Sequence, residues 1–436
     1  MKIALVIFCS FVFLFLIVLL PMPLPPYLDF QVIYHADLGL LRGIPVYDHA
    51  GQVNMIASLA NVPPDQVFVL PFPYPPWYAL ATLWLALLPV GLAVRLWFGL
   101  NLLMLFASTW LMTDGWTPMR RLSSFFFAIF FLPVLGTIWV GQYGLPVLLG
   151  TALFVYALQH EKVVLTALAA ALLTFKPHLG GLIMLIGLIY LFLRRDDFGR
   201  RALIGIILAG IFLFAVGFLA SPLWPLDYFH SLTGFKDVSQ CHQCNSIPME
   251  LSGLFGRGFN QAVWVALGIL VFLAFLIVSH WKLLTQGSRW LVGISVLTVL
   301  IVSPYLQNYD YILLLVPLFI LATDARRLDW LWLALAYFLP FLGFGLFGVM
   351  GDVSLVFSAL IIFILFMSSM PKLDGSGRVA YNPTTMKLGS ESGEAGVIPA
   401  LSRNCKFHGP DTDRWNESGR PPWSVHLHPR SWEVVK

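Results

Sequence analysis

Uninterrupted apolar runs recur from the amino end to about residue 370, each closed by charge, Pro or Gly, and no other feature constrains the fold as strongly. They fall at 3–20, 77–91, 96–112, 122–138, 144–159, 163–175, 178–193, 202–221, 260–279, 290–303, 311–323, 328–349 and 353–369. A helix of about 20 apolar residues crosses the roughly 30 Å of a bilayer's hydrocarbon, whereas a barrel strand needs only about 10. In lipid the backbone must satisfy its own hydrogen bonds, which leaves helices or closed barrels. The run lengths select helices, so the expected fold is all-α and polytopic, a multi-pass protein of the cell membrane. Charged residues make up only 11% of the chain, against about a quarter in a soluble domain. The net charge of +4 comes from short basic clusters between the runs, so no nucleic-acid partner is expected.

Lys and Arg set the orientation, because loops rich in them resist translocation and stay cytoplasmic. Arg120/Arg121, Arg194/Arg195 with Arg200/Arg201, Lys282 with Arg289, and Arg326/Arg327 belong on one face with Lys2. The opposite face then receives 21–76, Gly141 to Gly144, Lys176/Pro177, 222–258 and Ser303 to Asp310. If 77–91 and 96–112 both crossed fully, Arg120/Arg121 would land outside. About 12 crossings (11 to 13) are therefore expected, with 77–91 a re-entrant or interfacial helix led by the stiff Pro75/Pro76 pair. Two short crossings with a different parity are the alternative. A transmembrane domain over 1–370 would carry outer loops at 21–76 and 222–258.

The first run follows Lys2 and ends among Pro21, Pro23, Pro25 and Pro26 with no small-residue cleavage site, so it reads as a retained span. Residues 371–436 mix Gly, Ser, Pro and charge, and are expected to form a disordered cytoplasmic tail. The sequon at Asn416-Glu417-Ser418 would not be modified on that side. Cys241 and Cys244 are the one close cysteine pair, open to a strained disulfide or a share in a metal site. No second CxxC or histidine pair accompanies them, so no zinc is expected. No GxGxxG follows a strand; P-loop, HExxH and GxSxG patterns are missing too, and no cofactor is called for.

Chemistry concentrates on the outer face. The first loop sets Asp29, Asp37, Asp48 and Asp65 against a single basic residue, Arg42, which suits either a folded acidic cap or a plain solvated loop. Phe72-Pro73-Tyr74-Pro75-Pro76-Trp77 joins stiff backbone to amphipathic rings that favour the headgroup region, an anchor if nothing more. Gln142, in Gly141-Gln142-Tyr143-Gly144, offers an amide to a cavity between helices, or is part of a simple turn. Lys176-Pro177-His178 breaks an apolar stretch, and an ionisable group there either serves function or snorkels to the interface. Ser303 to Tyr311 makes a second polar, aromatic turn on that face, with Tyr309 and Asp310.

Taken in order, Asp29-Phe30 with Gly43 to Asp48, Tyr74-Pro75-Pro76, Gly141-Gln142, Lys176-Pro177-His178-Leu179-Gly180, and Ser303-Pro304-Tyr305 with Tyr309-Asp310 resemble glycosyltransferase family 87 over most of 1–370. The resemblance implies a GT-C-type membrane enzyme that moves sugar from a polyprenyl-phosphate donor to a lipid or glycan acceptor on the extracytoplasmic face. It further implies an essential acid in the first outer loop, which Asp29 matches, with Asp37 as the fallback base. Lys176 and His178, and more weakly Arg257, would offset the donor phosphate, while Tyr74, Gln142, Tyr309 and Asp310 would contact sugar or acceptor. Family members often transfer mannose; these residues do not separate it from another hexose or a pentose. Where some members carry a histidine after the Ser-Pro pair, this chain has Gln307, Asn308 and Tyr309.

A multi-pass transporter or lipid-linked-sugar flippase is the competing class. Carriers usually show two related halves, and 1–200 and 201–370 show no obvious repeat. A lipid-linked polymerase or ligase would lean on basic residues in a large later loop, yet 222–258 holds only Lys236 and Arg257.

Overall fold

The computed structural model describes residues 28–238, 246–256, 258–281, 287–347 and 353–370. The expected span at 3–20, the Cys241/Cys244 pair, Arg257, Lys282 and the 371–436 tail lie outside the described residues. Among the described residues all regular structure is helical: 17 α-helices and four short 3-10 segments.

Helices Gly144–Gln159 and Ser288–Val302 are apolar around their whole circumference, and such helices belong in an interior. Both are buried on nearly every side and pack with each other and with the segment Asn308–Leu314, whose last five residues are fully enclosed. Toward the periphery, helices Asp197–Gly217 and Phe259–Ser279 expose Ile207, Phe212, Trp264 and Phe272. Large exposed apolar faces of this kind suit lipid tails.

Among the described residues five helices are long and apolar enough to cross a membrane alone: Val90–Met112, Pro177–Arg194, Asp197–Gly217, Phe259–Ser279 and Leu328–Leu346. The remaining apolar helices have 10–17 residues, and at 1.5 Å per residue even the longest reaches only about 25 Å. Length alone therefore yields five spans among the described residues, or six with one bent pair, where about 12 are expected of the whole chain.

That pair marks a difference from the expected single span at 122–138. The chain forms Pro118–Ile129 and Leu132–Val140, bent by 64°. Pro133 has no N–H for the Ile129 carbonyl, and its ring crowds that carbonyl, so the helix stops there. Residues 77–91 form a helix, Pro76–Thr82, that tightens into the 3-10 segment Leu83–Leu87 and ends before Pro89, too short for a full crossing.

The segment between the first apolar run and residue 76, where described, folds. Helices Leu28–Leu41 and His49–Ala60 pack on one another, the second capped by Asp48, whose Oδ1 accepts the Gly51 N–H at 2.9 Å. Its tip is tied to the later loop: Val46 N–H donates to Ala220 O at 3.1 Å, Ser231 Oγ to Phe72 O at 2.8 Å, and the Tyr47 and Tyr228 rings lie 5.8 Å apart.

Basic clusters and polar turns sit at opposite ends of the same helices. Helix Val163–Leu173 has Glu161 and Lys162 before it and Phe175 and Lys176 after it. At the first end Asp114 binds Arg121 (3.7 Å) and His160 (2.9 Å), and Arg194 pairs with Glu161 and Asp196. The second end holds the candidate site.

Candidate functional site

Lys176 reaches the site because of the proline that follows it. Residues before proline avoid the helical region, and Lys176 is extended at φ −131°, ψ 81° while Pro177 opens the next helix. The turn is tight enough to need Gly180: a Cβ there would lie 2.0 Å from the Leu173 carbonyl oxygen. The lysine side chain, 3% exposed, turns inward to an ion pair with the fully buried Asp310. Its Nζ also lies 4.8 Å from the centre of the Tyr309 ring, an arrangement that favours a cation.

Asp310 is held by its own turn. Ser303 is extended before Pro304, which ends helix Ser288–Val302, and the chain re-enters helical structure through a capping box in which Asp310 Oδ2 accepts the Gln307 N–H at 3.0 Å. His178 Nε2 stands 3.9 Å from the same oxygen, with the Tyr305 ring edge-on at 5.6 Å.

Gln142 comes from a helix end closed by glycine. Gly141, at φ +72°, takes the left-handed position after helix Leu132–Val140, and Gln142 N–H returns to Thr137 O at 2.8 Å, the bonding of a Schellman cap. Trp97 Nε1 pins the turn through Gly141 O at 3.0 Å. The Gln142 Oε1 accepts the Tyr143 N–H at 2.8 Å and Lys176 Nζ at 3.4 Å. That commits the oxygen and leaves the NH2 end to donate, and both the Asp29 carboxylate and the Tyr74 hydroxyl are in hydrogen-bonding range of this side chain.

Asp29, on the loop helix Leu28–Leu41, closes the group. The Tyr143 hydroxyl donates to its backbone carbonyl, and the rings of Tyr74, Tyr78 and Tyr143 meet edge to face at 4.9–5.7 Å beneath it. Burial raises the Asp29 pKa above the usual carboxylate value, a shift opposed by the Lys176 charge and the Gln142 hydrogen bond. The residue is only partly buried, so its carboxylate can meet a ligand. The arrangement offers a basic carboxylate, a buried cation, an amide between them and aromatic walls, a combination suited to a polyhydroxyl ligand bearing an anion.

Seven residues picked from the sequence, Asp29, Tyr74, Gln142, Lys176, His178, Tyr309 and Asp310, thus meet in one place. Asp37 does not join them. It is fully buried on the same helix, neither of its oxygens has a hydrogen-bond partner, and the nearby Thr82 hydroxyl is committed to the Tyr78 and Ala79 carbonyls. Burial pushes its pKa well up, so the carboxyl holds its proton where it sits. Arg257 lies outside the described residues. Sequence reasoning missed Tyr143, which ties the Gln142 turn to the Asp29 backbone; only its place inside the 141–144 turn pointed to it.

The profile of glycosyltransferase family 87 matches residues 72–304, more than half of the 436 residues. The match includes Tyr74, Gln142, Lys176 and His178, while Asp29, Tyr309 and Asp310 lie beyond its ends. No curated protein and no solved structure matches the chain. With a polytopic helical fold and a profile match over most of the membrane region, this chain belongs to glycosyltransferase family 87.

Proposed function

We propose that the protein transfers a sugar, mannose or another hexose or pentose, from a polyprenyl-phosphate donor to a lipid or glycan acceptor at the extracytoplasmic face of the cell membrane. In this reading the fold is GT-C-like, and the shorter apolar helices complete about 12 crossings, as the sequence pattern suggests. Membership of a transferase family favours this over a carrier or flippase. The observation that carries the proposal is the convergence of the Asp29 carboxylate and the Lys176 ammonium on Gln142, at the helix ends opposite the basic clusters.

The acceptor hydroxyl oxygen attacks the anomeric carbon while the bond from that carbon to the phosphate oxygen breaks. The bonding electrons leave on the polyprenyl phosphate, and the hydroxyl proton passes to Asp29. Phosphate departs as a weak base and needs no general acid, so one carboxylate suffices. A single displacement inverts the anomeric centre. Lys176, with His178 beside it, faces the donor phosphate; Asp310 holds the lysine in position; Tyr74, Gln142 and Tyr309 contact the sugar or acceptor. The unpaired burial of Asp37 argues against it as the base.

The test is transfer from radiolabelled polyprenyl-phosphate sugars by the protein in nanodiscs. Asp29→Asn should abolish turnover with the fold retained, and Asp37→Asn should keep it. Loss in Asp37→Asn alone would move the base to that residue.

A further inference from the structure

The charges of the cluster do not balance for an anionic donor, and the following rests on the donor reading above. The one permanent cation acting on Asp29 among the described residues is Lys176, and it is already paired with Asp310. Asp310 cannot release it without cost, because a fully enclosed carboxylate would be left with only the Gln307 N–H and a distant imidazole. The Asp29 carboxylate is therefore surplus, and with a neutral imidazole the cluster of Lys176, Asp310 and Asp29 carries one net negative charge. A polyprenyl-phosphate sugar is a phosphodiester with a further negative charge. Like charges in so poorly solvated a cluster repel strongly, so the site as it stands resists its own donor.

Two groups can take up a proton to relieve this. A proton on Asp29 would disable the base. His178 is the other: it stands at the mouth of the cluster with a third of its side chain exposed, so a lipid phosphate can reach it from the membrane edge. The groups facing its ring are Asp310 (Nε2 to Oδ2, 3.9 Å), Lys176 two residues before it, and Tyr305 (rings 5.6 Å apart). In the free site the ring faces one anion, Asp310, and one cation, Lys176; an arriving phosphate adds a second anion and so favours the imidazolium.

We propose that donor binding takes up one proton, and that the His178 imidazole between the arriving phosphate and Asp310 carries it. Lys176 faces the phosphate but Asp310 already balances its charge; His178 thereby supplies the net positive charge the site lacks, and Asp29 stays ionised for the transfer step.

The test uses the full-length protein in nanodiscs, with farnesyl methyl phosphate as probe and farnesol as its neutral counterpart. The phosphodiester keeps a single charge between about pH 6 and pH 9, so any pH dependence belongs to the protein. For the wild type, affinity for the phosphodiester should fall about tenfold per pH unit above neutrality, as one linked proton requires, and farnesol binding should stay flat. His178→Gln should bind the phosphodiester weakly with no pH slope. His178→Lys, a permanent cation at the same place, should bind it tightly with no slope. A flat wild-type profile, or a slope kept in His178→Gln, overturns the inference while leaving the donor reading intact. If the wild type does not prefer the phosphodiester to farnesol at any pH, the donor reading fails and takes this inference with it.

Discussion

Replacing Lys176 by Met removes the positive half of an ion pair whose side chains are 3% and 0% exposed. Two unit charges in contact at about 3 Å, with an effective permittivity near 20, attract by roughly 5 kcal/mol. Much of that only offsets the cost of desolvating both groups, so the pair adds little net stability. Breaking it is another matter, since Asp310 is left charged and enclosed, at a cost of about 3–5 kcal/mol. At about 2 °C per kcal/mol for a chain of this size, Lys176→Met should melt about 6–10 °C below wild type. The double variant Lys176→Met/Asp310→Asn keeps an oxygen for the Gln307 N–H but carries no orphaned charge, so it should recover most of that loss. Sugar transfer should remain absent in both variants, because the cation facing the donor is gone. Thermal unfolding in one detergent, followed by intrinsic fluorescence, reads the first effect, and radiolabel transfer reads the second. A Lys176→Met protein melting within a degree of wild type would refute the buried pairing. A double variant as unstable as the single would refute the orphaned-charge explanation.

Three further outcomes follow from the same geometry. Burial raises the Asp29 pKa and the Gln142 hydrogen bond lowers it, so the acid limb of kcat/KM should lie above the ordinary carboxylate range near pH 4; Gln142→Leu should move that limb higher still, and an unmoved limb would count against Asp29 as the base. Asp37 has a folded pKa well above its unfolded one, so the folded state holds the extra proton and stability must fall as pH rises above about 4; Asp37→Asn should flatten that decline in melting temperature. Gly141→Ala places a Cβ at φ +72°, which costs about 1–2 kcal/mol, and should lower the melting temperature by about 2–4 °C while weakening substrate binding through Gln142; an unchanged melting temperature would refute the left-handed cap.

Much of the site was legible because proline and glycine mark where the chain must turn. Pro177 with Gly180, Pro304 and Gly141 each end or open a helix, and each leaves a polar residue at the turn: Lys176, Asp310 and Gln142. Apolar runs conveyed the helices in the same way. What the sequence did not convey is which partner each polar residue would take. The Lys176–Asp310 pair and the Tyr143 bond to Asp29 depend on how distant turns meet, and no local pattern encodes that. Asp29 and Asp37 look alike as text; eight positions apart on one helix, they face opposite fates, one toward the cluster and one sealed behind the tyrosines. The count of crossings was least legible, because apolar runs register burial in protein and burial in lipid alike, and Gly144–Gln159 is enclosed by its neighbours. Pro133 breaks the run at 122–138, but a proline near a helix start and one that breaks a span look the same from sequence.

The measurement that bears most directly on the central claim is donor choice by the wild-type protein in nanodiscs, with radiolabelled sugar supplied either as a polyprenyl-phosphate conjugate or as a nucleotide conjugate. A site that sets one carboxylate base near a buried lysine should move label from the lipid-linked donor alone. Transfer from the nucleotide sugar and none from the lipid-linked donor would contradict the account.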